Sequence, residues 1–213
     1  MMKLLGSCIL LVMLVVSPRT ALAEDEPQHV ARPVTGVQVM KLLYKFRGND
    51  AAIRSYGEIS EAIARASTED PLFPHVAEGS EMTAAILVAV AWHESRFTRD
   101  AVGDQGKSFG LYQIQPPSGR VNSKMLTVAR EATFIAIGLI RDSIQHCLSK
   151  GRDWREALAW YAASSDYGSK HPKIIGQSRT RMMTAAELFT EFFAVERSEE
   201  RSLGYLLSRK SST

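Results

Sequence analysis

With 213 residues, 45% of them hydrophobic and 23% charged, the chain can build one domain with a real core, and its composition excludes wholesale disorder. The formal net charge of +3 overstates how basic the working protein is, because Lys3 and Arg19 lie in a leader expected to be removed. That leaves 24 Lys and Arg against 23 Asp and Glu, which gives no electrostatic footprint for a nucleic-acid partner.

The first 23 residues read as a secretory signal peptide. Lys3 supplies the positive start. An apolar run over residues 4–16 follows, interrupted only by Gly6 and Ser7, and Pro18 breaks it ahead of the small-x-small site Ala21-Leu22-Ala23. The run is shorter than the roughly 20 residues a membrane-spanning helix needs. Cleavage is therefore expected, with no stable membrane span afterwards and a destination in the periplasm or outside the cell. Leu5-Gly6-Ser7-Cys8 has the letters of a lipoprotein box but precedes the apolar run instead of following it, so lipidation is not expected. Cys8 leaves with the leader. Cys147 is then the single cysteine, which excludes an intrachain disulfide, and its place on an apolar helical stripe suits a small hydrophobe.

Residues 24–35, with three acidic residues and two prolines, form a flexible lead-in. Val37, Met40, Leu43 and Tyr44 recur at helical spacing, and Gly48-Asn49-Asp50 stops that helix. A second helix spans residues 53–66 and ends at 67–71, where Pro71 and Pro74 begin an extended loop. Ser80 and Thr83 are candidate N-caps for the next element, with Glu81 suited to its positive end. Residues 84–92 are apolar on every face. A helix of that kind is buried all round, so this is the central helix of the domain, and it runs into His93-Glu94-Ser95.

Residues 97–120 carry Gly103, Gly106, Gly110, Gly119 and Pro116-Pro117, the composition of a long loop or a small hairpin region. A loop of that length inside a compact domain is usually functional. Ile137, Ile140, Ile144 and Cys147 mark a long helix over residues 128–150. Trp154, Ala157, Leu158 and Tyr161 mark another from about Asp153, and Met182, Ala186, Phe189 and Phe193 a last one. The chain from Ser198 reads as a polar tail. The fold class is mainly α, with the domain over residues 36–197.

Glu94 is the residue with the clearest chemical potential. It ends the most apolar helix of the chain, close to Trp92 and just before Phe97. Desolvation there disfavours the charged carboxylate and raises its proton affinity. A carboxylic acid still protonated near neutral pH is what cleavage of a glycosidic bond requires, because the leaving oxygen must receive a proton. Hen-type lysozyme, a standard worked case, sets its acid in such an apolar wall. His75, His93, His146 and His171 show no metal-ligand spacing, and no phosphate loop or serine-nucleophile motif occurs, so neither a metal nor another cofactor is expected.

The flanking residues sharpen this reading. Glu94-Ser95-Arg96-Phe97, then Ser108-Phe109-Gly110-Leu111-Tyr112-Gln113-Ile114, then Ala157-Leu158-Ala159-Trp160-Tyr161 resemble the Glu-Ser-x-Phe, Gly-Leu-Met-Gln and Ala-Leu-Ala-x-Tyr blocks of the soluble lytic transglycosylase family. Order and spacing agree across residues 83–164. The resemblance implies a lysozyme-like helical fold, with a buried central helix and a small hairpin region beside the cleft, and peptidoglycan glycan strands as substrate. It implies Glu94 as a lone acid and base cutting the bond between N-acetylmuramic acid and N-acetylglucosamine to leave a 1,6-anhydro end. Ser95, Ser108, Gln113 and Tyr161 become the substrate-binding candidates. Gln113 offers both a donor and an acceptor to acetamido groups. Tyr161 can equally be ordinary core, and Ser95 can simply close the helix.

Three positions depart from the family pattern: Tyr112 replaces Met, Ala162 replaces the Asn after the Tyr, and Ser164 replaces Gly. Gly103-Asp104-Gln105-Gly106 is similar to the Gly-Asp-x-Gly stretch of goose-type lysozymes, which makes Asp104 either a second carboxylate that positions water or a turn residue. The alternatives to a transglycosylase are thus a hydrolytic muramidase using Glu94 with Asp104, and a peptidoglycan-binding protein without catalysis. The leader yields a direct expectation. Exported protein should begin at Glu24, and intact-mass spectrometry that finds residues 1–23 retained, or a lipid on Cys8, would overturn it.

Overall fold

The computed structural model describes residues 33–46, 53–116, 122–163 and 171–210, with side chains as far as Phe192. The expected signal peptide, most of the lead-in, the Gly48-Asn49-Asp50 stop, Pro117, Gly119 and Ser164 lie outside the described residues. In chain order the elements are α1 Gly36–Leu43, α2 Tyr56–Glu69, α3 Gly79–Ser95, β1 Val102–Gly103, β2 Ser108–Phe109, α4 Ser123–Leu126, α5 Ala129–Ser149, a 3-10 turn Trp154–Glu156, α6 Ala159–Ala163 and α7 Pro172–Lys210. The fold is mainly helical, as the sequence predicts.

Helix α3 is the centre. Every residue from Ala84 to Ala91 is at most 3% exposed. The neighbours that enclose it are α7 above all, then α2, with α1 and α5 completing the shell. Its start differs from the expected caps. The helix begins at Gly79, Glu78 occupies the cap position, and no side chain caps the end. Ser80 lies inside the helix and is fully buried. Thr83 bonds elsewhere. Its hydroxyl donates to the Gly79 carbonyl at 2.6 Å and accepts from the Leu72 N–H at 2.8 Å, sewing the preceding loop to the helix.

The exit from α3 is unusual. Arg96 and Phe97 both take left-handed backbone conformations, with φ of 54° and 60°. Such residues cost roughly 1–2 kcal/mol each. Phe97 is fully buried, and its ring packs 5.5–5.6 Å from those of Tyr56, Phe46 and Trp92. Burying a phenylalanine is worth about 1.5–3 kcal/mol, and each ring pair about 0.5–1.5 more, so packing outweighs the strain. The reversal drives the chain into the hairpin.

Strands β1 and β2 pair antiparallel, Val102 opposite Phe109 and Gly103 opposite Ser108. Asp104, Gln105 and Gly106 make the turn, all at positive φ. Gly110 follows at φ 76°, and a Cβ there would lie 1.7 Å from the Leu126 carbonyl oxygen of α4. No other residue lets the backbones approach so closely.

Two helices differ in register from the sequence pattern. In α1 the buried positions are Gly36, Val39, Leu42 and Leu43, whereas Val37 and Tyr44 are exposed. The Thr35–Gln38 capping box fixes where that helix begins. In α7 the buried stripe is Met182, Ala185, Leu188 and Phe192, one position ahead of the expected Ala186 and Phe189, which are half-buried. Helix α7 also continues to Lys210, past the Ser198 boundary of the expected tail.

The helix expected from Asp153 is broken in two by inserted hydroxyls. Ser143 of α5 donates to the Ala157 carbonyl at 2.7 Å and accepts from the Tyr161 N–H at 2.8 Å, the two groups that would otherwise bond to each other. Ser178 of α7 likewise accepts from the Leu158 N–H and donates to the Arg155 carbonyl, both at 2.9 Å. These two serines hold the 155–161 segment between α5 and α7.

Among the described residues no helix is long and apolar enough to cross a membrane. Cys147 is buried, its thiol donating to the Asp153 carbonyl, and burial pushes that thiol up to about 11. Gly110→Ala is expected to cost at least about 2 kcal/mol, from an unfavourable φ and overpacking together. A denaturant titration showing a loss below 0.5 kcal/mol, roughly the scale of a neutral surface change, would contradict the close approach.

Candidate active site

Glu94 is the next-to-last residue of α3. Its side chain is 16% exposed, and Oε1 accepts a 2.5 Å hydrogen bond from Nη2 of Arg181 on α7. Burial holds the Glu94 carboxyl above the usual carboxylate range. The charge and the hydrogen bond of Arg181 pull it back, Asp104 adds a smaller upward push, and burial wins. The negative end of the α3 dipole acts in the same upward direction.

The aromatic residues nearest Glu94 in sequence form a cluster of their own. Trp92 lies two positions before Glu94, and residues so spaced do not share a helix face. Its ring packs on Phe46 at 4.7 Å and carries the Arg96 guanidinium 4.1 Å above it. Phe97 joins the same aromatic cluster. The groups acting on Glu94 come from α7, from the hairpin and from α6.

Tyr161 is the α6 contribution. Its hydroxyl donates to the Tyr112 carbonyl at 2.6 Å. Burial first, then the neighbouring Glu94 charge, push that hydroxyl well above the ordinary tyrosine range. Tyr112, the departure from the family's Met, is fully buried, and its own hydroxyl meets Thr133 of α5 at 3.2 Å. It therefore serves this region through its carbonyl. Ala162, the second departure, is exposed.

The remaining candidates tie the hairpin region to α3. Ser95 donates to the Leu111 carbonyl at 2.7 Å and shares its hydroxyl with the Ala91 carbonyl at 3.2 Å. Gln113, at φ 48°, donates its amide to the carbonyls of Gly110 and Ala101 at 2.9 and 3.2 Å. A Cβ on Gly103 would sit 2.1 Å from Gln113 Oε1, so a glycine is what lets this side chain lie across the hairpin. Ser108 is buried and donates to Asp104 Oδ2, and Gln115 reaches the same oxygen at 3.4 Å. Asp104 is exposed and opens the left-handed turn, and its charge is nevertheless felt at Glu94. His93 faces Thr184 of α7 at 3.0 Å; burial, then Arg181 and Arg96, lower its proton affinity. Among the described residues no group of three or more His, Cys, Asp or Glu is placed to hold a metal ion.

Arg181 was not legible as a site residue from motifs. A signal did exist: it sits three residues after Ser178 and four before Ala185, so the helical period places a cation on the stripe that faces the core.

A buried helix ending on a shielded carboxyl, flanked by a small hairpin and enclosed by further helices, defines a lysozyme-like helical domain. Residues 72–166 match the family model described as the Transglycosylase SLT domain, which supports the likeness to the soluble lytic transglycosylase family. The matched span runs from the loop before α3 to just past α6, so it contains Glu94, Asp104, Gln113 and Tyr161 and stops short of Arg181. No curated protein and no solved structure matches the chain. The domain indicates lytic-transglycosylase-type cleavage of peptidoglycan.

Tyr161→Phe leaves the buried Tyr112 carbonyl without its donor. An unsatisfied buried group costs about 1–3 kcal/mol, and equilibrium denaturation should show a loss in that range. A loss below 0.5 kcal/mol, about the scale of a neutral surface substitution, would show that the bond contributes nothing.

Proposed function

We propose that the protein is an exported peptidoglycan lytic transglycosylase in which Glu94 is the single acid and base. The observation that carries this reading is the shielded Glu94 carboxyl, held above the usual range by burial. In the first half of the reaction Glu94 gives its proton to the glycosidic oxygen between N-acetylmuramic acid and N-acetylglucosamine. The bond from that oxygen to the muramoyl anomeric carbon breaks, and its electron pair stays on the leaving oxygen. In the second half the Glu94 carboxylate takes the proton of the muramoyl 6-hydroxyl while that oxygen bonds to the anomeric carbon. The product is a 1,6-anhydro end, and Glu94 is again protonated. Tethering the nucleophile makes the second half unimolecular, which favours it over attack by water.

Tyr161 supports this role by bringing a fixed hydroxyl and an apolar ring to the acid. We assign Ser95, Ser108 and Gln113 to shaping the sugar-facing loop, since their side chains already bond within it. Asp104 gives the rival hydrolytic reading its footing, because its charge acts on Glu94. Against that reading, Asp104 is exposed at a turn and engaged by Ser108 and Gln115.

Digestion of purified glycan strands, with the products weighed, separates the two routes. Anhydro ends are lighter than reducing ends by one water. Glu94→Gln should lose about 10²–10⁴ in rate while staying folded, and Asp104→Asn should keep most activity. Reducing ends together with an inactive Asp104→Asn would make the protein a hydrolase, and wild-type turnover in Glu94→Gln would remove the acid altogether.

A further inference from the structure

Arg181 stands outside the matched domain, and its surroundings are those of a residue kept for chemistry. Its side chain is only 8% exposed. Its one polar partner among the described residues is Glu94, while Nε and Nη1 are buried with no hydrogen-bond partner there. A guanidinium is always charged and carries five donors. One placed for stability alone would have those donors satisfied, because an incompletely paired buried charge is costly. Here most of them are left over, and the one strong bond goes to the carboxyl at the end of α3.

We propose that Arg181 is a positioning residue for Glu94: it fixes the carboxyl at the exit of α3 and stabilises the carboxylate that remains after the proton has passed to the leaving oxygen. This rests on Glu94 being the acid. The ion pair is at full strength only once Glu94 has given up its proton. Its attraction therefore grows along the bond-breaking step, which is the condition for lowering a barrier instead of merely tightening binding. In the second half, the proton from the 6-hydroxyl discharges the pair as the ring closes.

The other charged and titratable groups that act on Glu94 or on this pair are Tyr161 from α6, Asp104 from the hairpin and His93 from α3 itself, with Arg96 just past the end of α3 acting in turn on His93. Of the groups acting on Glu94, only Arg181 favours its ionised form; burial and Asp104 act against it. Removing Arg181 must therefore raise the pH at which Glu94 ionises. A general acid works below that pH, so the alkaline limb of the pH–rate profile moves upward. The plateau falls at the same time, because the acid has become weaker.

The test uses the mature full chain with Arg181→Met and Arg181→Lys. In Arg181→Met the alkaline limb of kcat/KM should move up by about one pH unit or more, the range for losing a close opposite charge. Its kcat should fall at least about tenfold, following the weaker acid, with KM nearly unchanged. Arg181→Lys should restore much of the limb. A carbon NMR titration of the labelled Glu94 carboxyl should show the same shift without reference to activity. If the limb and the titration midpoint both stay at their wild-type positions, the proposal is overturned. Should Arg181→Met fail to fold, Arg181→Gln decides it: a midpoint left at its wild-type position with wild-type kcat overturns the proposal, and a raised midpoint supports it. An inactive Glu94→Gln beside an unmoved Arg181→Met profile removes only the role of Arg181, whereas an active Glu94→Gln removes the reading on which it rests.

Discussion

A helix that is apolar on every face must be enclosed on every face, and the rest of this fold follows from enclosing residues 84–91. A single neighbour covers one stripe. Complete cover takes α7, α2, α1 and α5 together. The enclosure also decides where chemistry can sit. The polar residues 93–95 mark where the apolar sequence runs out while the neighbouring helices still extend over it, so Glu94 keeps only 16% of its side chain exposed. A glutamate one turn further out would be an ordinary solvated carboxylate. One turn further in, it would have no route to a substrate.

The second layer of organisation is made by hydroxyls, not by apolar contacts. Ser143 and Ser178 each slip into a helical ladder and take over its carbonyls and N–H groups. Ser95 and Thr83 do comparable work at the two ends of α3. Each bond is worth only about 1 kcal/mol net. Their value is directional: a hydroxyl bonded on both sides fixes the position of a segment along its neighbour, which slippery apolar packing does not do. Tyr161 reaches the Glu94 region because Ser143 holds its backbone and the Tyr112 carbonyl holds its hydroxyl.

Much of this was legible in the sequence where the signal was a pattern of composition. The all-apolar run at 84–92 gave the central helix, the Ile137–Cys147 spacing gave α5 almost to the residue, and the glycines after Phe97 gave the hairpin. What failed was finer. The faces of α1 and α7 are off by one position because an amphipathic stripe about 100° wide admits two registers, and capping and partner helices choose between them. Ser80 and Thr83 have the letters of caps, but the loop at Leu72 claims Thr83 and moves the helix start to Gly79. Trp92 and Phe97 are near Glu94 in sequence yet belong to another cluster, because adjacency along a helix is not adjacency in space. Arg181 lies 87 residues from its partner, and no motif links them.

The proposed route asks a lone carboxyl to serve both halves of a reaction, and the opposition between burial and Arg181 bears on that demand. A unit charge about 4 Å from another contributes roughly 4 kcal/mol at an effective dielectric near 20, and a tenfold change in proton affinity corresponds to about 1.4 kcal/mol. Burial alone would therefore make Glu94 a very weak acid, firmly protonated and slow to release its proton. Arg181 alone would make it an ordinary or depressed carboxylate with no proton to give near neutral pH. Burial outweighs Arg181, so the carboxyl lies above the usual carboxylate range, and the guanidinium keeps it from rising further. An enzyme with two carboxylates can divide these demands between residues. A single-carboxylate site has to meet both at one, and two opposed effects on the same group are the simplest way to reconcile them.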